Sequence, residues 1–120
     1  MLISSFHDRH EITAVDGCRL RELLHPARVA GAPPEYSLAV AMVDPGQATH
    51  PHALGLTEVY YLIRGTGRMH IGDEARAVRP GDAIVIPAHT VQWIDNTGDE
   101  VLEFIALVSP PWRLEDDRRA

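Results

Sequence analysis

Apolar runs of four to eight residues, rich in Val, Ile, Leu and Tyr and each closed by a glycine or proline turn, recur along this chain. That rhythm belongs to an all-β sandwich or barrel. The runs are Ile12–Val15, Arg19–Leu24, Tyr36–Val43, Glu58–Arg64, Gly67–Ile71, Ala75–Val78, Ala83–Ile86, Val91–Ile94 and Val101–Val108. Between them lie turn signals such as Gly31-Ala32-Pro33-Pro34, Asp44-Pro45-Gly46, Pro80-Gly81-Asp82 and Asn96-Thr97-Gly98-Asp99. Gly65-Thr66-Gly67 reads as a tight hairpin, because glycine reaches positive φ without a steric penalty. No stretch keeps a helical apolar period over ten residues. The charged tail, Glu115 to Ala120, reads as a frayed end or one short helical turn.

Composition narrows the function classes. At 120 residues and 45% apolar, the chain is one domain, residues 1–120, able to bury a core. Its formal charge of −6 and lack of any basic run argue against nucleic acid and membrane as partners. All 11 basic residues are arginine, which excludes Schiff-base, lysine-base and P-loop-lysine chemistry. The lone Cys18 excludes an internal disulfide and a cysteine-cluster metal site, and points to a reducing compartment. No leader or membrane-length segment is evident at Met1–His7 or beyond, so the expected location is cytoplasmic.

Chemistry concentrates in two stretches. In Glu58–Arg64, Glu58, Tyr60 and Leu62 share one face, and Val59, Tyr61 and Ile63 the other. A carboxylate on so apolar a strand needs a partner. Upstream, His50-Pro51-His52 places two imidazoles at i and i+2, one face of a strand, with Pro51 marking an edge. Downstream, Gly81 opens a strand, Pro87 closes it, and a second strand runs through Gln92 to Asn96. Two histidines and a carboxylate converging inside a barrel would suit Fe, Mn, Ni or Zn.

These stretches resemble the two motifs of a small single-domain cupin, the conserved-barrel (cupin type-2) family. The first motif is carried by Gly46, His50, His52, Glu58 and Gly65, the second by Gly81, Pro87, His89, Gln92 and Asn96. The resemblance implies a cupin jelly-roll barrel, with core motifs over residues 36–108 and a C-terminal strap over 109–120. It also implies a divalent metal ion held by His50, His52, Glu58 and Gln92, a small-molecule substrate, and a homodimer. The departures are informative. Five residues separate His52 from Glu58, where the family has three or four. His89 stands where glycine is usual, and Gln92 where the last metal-binding histidine is usual. A glutamine carbonyl is a neutral, weaker ligand; His89 is the rival imidazole, or else a turn residue tolerating a left-handed backbone.

Three functions are consistent with this pattern. The first is a metal-dependent enzyme of the dioxygenase, isomerase, cyclase or lyase type. The second is a non-catalytic sensor or storage module for a small molecule or metal. The third is a metal-free dehydratase using the same histidines as acid and base. Glu58, Tyr60 and His89 are the catalytic candidates. Glu103 is a further general-base candidate or a surface carboxylate, and Arg64 and Arg68 are the nearest cations for an anionic substrate. Arg68 and His70 are expected to face outward, Trp93 to pack between sheets or at a dimer contact, and Trp112 to cover a barrel end or the dimer seam. His7, His10 and His25 read as surface residues.

Overall fold

A computed structural model describes residues 1–120 and contains no α-helix. The strands are β1 (Ile12–Thr13), β2 (Arg19–Leu24), β3 (Ser37–Val43), β4 (His52–Leu54), β5 (Thr57–Arg64) and β6 (Gly67–Ile71). They continue as β7 (Glu74–Val78), β8 (Ala83–Ile86), β9 (Val91–Asn96), β10 (Leu102–Ser109) and β11 (Asp117–Arg119). Two short 3-10 turns, Phe6–Asp8 and Leu114–Asp116, complete the chain. The strands form a six-stranded sheet in the order β1-β2-β3-β10-β5-β8 and a five-stranded sheet in the order β11-β4-β9-β6-β7.

The expected all-β barrel is therefore present. Its core follows from strand alternation, which sends every second side chain between the sheets. Phe104 of β10 pairs with Leu62 of β5 and Ala41 of β3, and Ala106 pairs with Tyr60 and Ala39. From the facing sheet, Ile94 of β9 sits opposite Met69 of β6. All of these but Ala39, with Ile86 and Leu102, belong to one buried cluster. Leu54, Leu56 and Val108 make a second, smaller one, with Trp112 packed against it.

Two segments differ from the sequence-based expectation. His52, expected on an edge strand, and Ala53–Leu54, expected in the loop before Glu58, together form the strand β4, paired with β9 on one side and β11 on the other. The charged tail, expected to fray or turn once, makes a 3-10 turn and then becomes β11, with Arg119 opposite His52 and Asp117 opposite Leu54. Both strands are three residues long, too short to stand out in the sequence, and β11 exists because β4 supplies its ladder partners. No helix of the fold is long and apolar enough to cross a membrane.

The β5–β6 hairpin turns through Gly65 at φ +82, where a side-chain Cβ would come within 2.7 Å of the Val101 carbonyl oxygen. Gly46 has a similar φ of +76 but open space around it. Gly46→Ala should cost about 1–2 kcal/mol, the left-handed penalty alone. Gly65→Ala should cost more, because backbone must also move. Urea unfolding of the two variants measures the difference, and equal losses would contradict the contact.

Candidate active site

Between the sheets lies a cavity of about 430 Å³ with predominantly apolar walls. Its polar end is assembled from four segments of the chain. Strand β5 contributes Glu58 and Tyr60, β4 His52, the β1–β2 loop Asp16 and Cys18, and the C-terminal strap Trp112 and Asp117. Gln92 of β9, fully buried, bridges two of them. The Tyr60 hydroxyl donates to Gln92 Oε1 at 3.0 Å, and Gln92 Nε2 donates to Glu58 Oε1 at 2.8 Å. Tyr60 also packs on Phe104, ring centroids 4.4 Å apart.

The electrostatics follow from burial. Desolvation pushes the Glu58 carboxyl up to about 8, against the opposing hydrogen bond from Gln92, with the charges of Asp16 and Asp117 adding to the rise. Burial likewise raises the Tyr60 hydroxyl and the Cys18 thiol, leaving Cys18 an inert thiol on the cavity wall. Asp117 is raised chiefly by desolvation, opposed by the hydrogen bond from the Trp112 indole.

His52 and His50 part company. His52 Nδ1 donates to the His50 carbonyl at 3.0 Å, which leaves Nε2 as the lone-pair nitrogen; it lies 4.0 Å from Asp16 Oδ2. The His50 ring is exposed and lies over Gly17, where a Cβ would come within 2.6 Å of its Nε2. The shared-face reading of His50 and His52 fails because β4 begins at His52: His50 precedes the strand, so alternation does not reach it. His50 is instead fixed through its backbone N–H, 2.6 Å from the Asp16 carbonyl oxygen.

His89 also stands outside. It occupies the β8–β9 turn at φ +64, exposed, with its backbone N–H bonded to the Leu54 carbonyl. It is the left-handed turn residue of the two alternatives.

The donor set also bears on the implied metal. No three His, Cys, Asp or Glu side chains come together as a ligand group. The Gln92 carbonyl already accepts from Tyr60, and its NH₂ faces Glu58. His50, His52, Glu58 and Gln92 as placed therefore do not fit a metal ion.

The remaining candidates divide plainly. Glu103 faces outward, 3.8 Å from Arg64, and Arg68 is exposed on the outer face of the second sheet. Neither arginine reaches the cavity, so the anionic-substrate role foreseen for Arg64 and Arg68 is corrected. His70 lies on that outer face as expected, stacked on Trp93 at 4.3 Å and bonded to Asp95 at 2.7 Å. Trp93 thus packs on the outside rather than between the sheets. His7 and His10 are exposed, but His25 is buried, donating to the Trp112 carbonyl at 2.8 Å and accepting from the Ala27 N–H. It anchors the strap, a long-range contact with no local signature. Asp16 and Asp117 are the site residues that sequence reasoning missed; neither falls within a motif or an apolar strand pattern.

Fold and cavity together define an all-β barrel able to enclose a small molecule between its sheets. The Cupin domain family matches residues 39–108, and the chain belongs to that family. An uncharacterized protein of Methanocaldococcus jannaschii is 39% identical over 103 residues, 84% of this chain and 80% of the relative. Among solved structures, the polyketide cyclase RemF from Streptomyces resistomycificus matches with a TM-score of 0.82 at 21% identity, over 100% of this chain and 85% of that one. The Lactobacillus farciminis oxalate decarboxylase formate complex matches with a TM-score of 0.81 at 20% identity, over 94% of this chain and 34% of the larger one. This chain spans about a third of that protein's length. At these identities the structural likenesses carry the fold.

Because Glu58 holds its proton more tightly folded than unfolded, stability should fall as pH rises from the ordinary glutamate value of 4.5 to about 8, and gain nothing further from Glu58 below 4.5. Asp117, also raised, adds a slope of the same sign. Glu58→Gln should flatten the profile. Guanidinium unfolding across that pH range measures it, and a wild-type slope no steeper than the variant's would contradict the buried neutral acid.

Proposed function

We propose that this chain binds a small, mostly apolar organic molecule inside the barrel and moves a proton on it without a metal. The observation that carries this reading is Glu58. It lines the cavity with Oε1 held by Gln92, and no protein group is hydrogen-bonded to its Oε2. A carboxyl kept neutral by burial is a general acid near neutral pH. The His52 Nε2 lone pair is the matching base, its tautomer set by the bond from Nδ1 to the His50 carbonyl. In one turnover, His52 Nε2 takes a proton from an acidic carbon and Glu58 delivers one to the departing or accepting oxygen. Elimination, isomerisation and cyclisation share these steps. Tyr60 and Gln92 are positioning residues: their bonds fix the orientation of Glu58, and the Tyr60 hydroxyl proton is committed to Gln92.

The chain also acts as a homodimer in this reading. Strands β1 and β8 are the two unpaired edges of the six-stranded sheet and carry the exposed apolar residues Ile12 and Val85. A second copy covers them, and Val85→Asp should shift the mass read by light scattering from two chains to one.

Proton transfer is tested directly by NMR in D₂O with a panel of apolar enolisable ketones and β-hydroxy ketones. Deuterium uptake or elimination is expected, and Glu58→Gln should slow it by about 10²-fold or more. Stoichiometric Fe, Mn, Ni or Zn in protein purified without added metal, lost on His52→Ala, would overturn the reading in favour of a metal centre.

A further inference from the structure

Apart from the proton carried by the neutral Glu58, the unpartnered polar atoms at the acidic end of the cavity are acceptors. Glu58 is 7% exposed and His52 4%, yet Glu58 Oε2 and His52 Nε2 have no hydrogen-bond partner in the protein. Asp117 Oδ1 is buried with none either. Asp16 Oδ2 has only the His52 ring, at 4.0 Å. Three donors nearby are already committed. The Tyr60 hydroxyl serves Gln92, the Gln92 amide serves Glu58, and the Trp112 indole serves Asp117 Oδ2 at 2.9 Å. Arg28, the one arginine on the wall, gives both Nε and Nη2 to Glu22.

Buried acceptors without donors cost free energy until a donor arrives. Four carboxyls line this cavity, Asp16, Glu22, Glu58 and Asp117, against one guanidinium already paired. An entering carboxylate or phosphate would meet the repulsion of Asp16 and Asp117 at the acidic end. Three aromatic side chains, Tyr60, Phe104 and Trp112, line the same space. Aromatic faces beside carboxylates favour an organic ammonium group.

Resting on the reading that this cavity is the ligand site, we infer that its ligand is an organic cation, an apolar skeleton bearing a protonated amine, with Asp117 of the strap and Asp16 as the residues that select it. The apolar skeleton lies against Leu20, Ala39, Phe104 and Ala106, and the amine lies at the acidic end. Asp117 reaches that end only because β11 pairs with β4, so the strap supplies specificity as well as closure.

Three probes of one skeleton separate the possibilities: benzylamine, benzyl alcohol and benzoate, titrated calorimetrically at pH 7. Benzylamine should bind about tenfold or more tighter than benzyl alcohol, about 1.4 kcal/mol, and benzoate most weakly. Asp117→Asn should remove most of the amine's advantage while changing the alcohol's affinity by less than about twofold. Asparagine keeps an acceptor for Trp112, so the strap stays in place, and unchanged unfolding behaviour checks this. Asp16→Asn, which likewise keeps an acceptor for the Cys18 N–H, should act in the same direction. Asp99→Asn, an exposed change of equal charge, should leave all three affinities unaltered. Benzoate binding as tightly as benzylamine would overturn the inference, as would Asp117→Asn weakening all three probes alike. Stoichiometric binding of Zn²⁺ or Mn²⁺ alone, lost in Asp117→Asn, would overturn it by assigning the acceptors to a metal. Failure of every probe to bind would overturn the cavity reading as well; binding without discrimination would overturn the cation alone.

Discussion

A carboxyl group buried inside a small apolar barrel is the constraint around which this structure is arranged. Glu58 points between the sheets because alternation on β5 leaves it no choice: moving it outward would expose Tyr60 and Leu62 with it. The fold tolerates the cost through one residue on the opposite sheet. Gln92 gives Glu58 a hydrogen bond and is itself anchored by the Tyr60 hydroxyl. A hydrogen bond to a charged partner contributes about 1.5–3 kcal/mol. Glu58 is not one of those: its desolvation dominates, and the carboxyl retains its proton. The relay therefore ties the two sheets together at the point where the core is least apolar.

The same relay separates this site from a metal centre built on the family's pattern. An imidazole at position 92 would offer a single lone pair inward. Glutamine has two functional ends, and both are occupied, the carbonyl by Tyr60 and the amide by Glu58. Its donor end suits a carboxylate or a carboxyl oxygen, which draws Glu58 into a protein–protein bond. The departure of His50 to the surface over Gly17 runs in the same direction. Two of the four positions named by the motif are thus used to orient and brace the interior rather than to face one point in it.

What was legible in the sequence follows the range of each interaction. The parity of Glu58, Tyr60 and Leu62 was readable because alternation is local and β5 is eight residues long. The inward Gln92 was readable for the same reason, and so was the opposite parity of Trp93, though not its place on the outer face. The shared face of His50 and His52 was misread because the rule was applied across a strand's first residue. Asp16 and Asp117 left no trace, since a loop aspartate and an acidic tail look alike whether solvated or turned inward. His25 was taken for a surface residue because nothing near it in sequence shows that the Trp112 carbonyl will meet it. The family motif marks the middle of the chain well. The pieces that close the barrel come from its two ends, where sequence patterns are weakest.

Those ends decide what the cavity can hold. The β1–β2 loop brings Asp16 and the strap brings Asp117, both from outside the residues matched by the family. A shared barrel supplies the walls, the Glu58 relay and the His52 base, while the termini supply the charge at the mouth of the chemistry. Two proteins with the same core motifs could therefore differ in ligand charge without any change in β5 or β9. In this chain the arginines lie outside or are paired, and both terminal segments contribute carboxylates. The selectivity of the site is accordingly a property of its loops and strap, and its acid–base chemistry a property of its sheets.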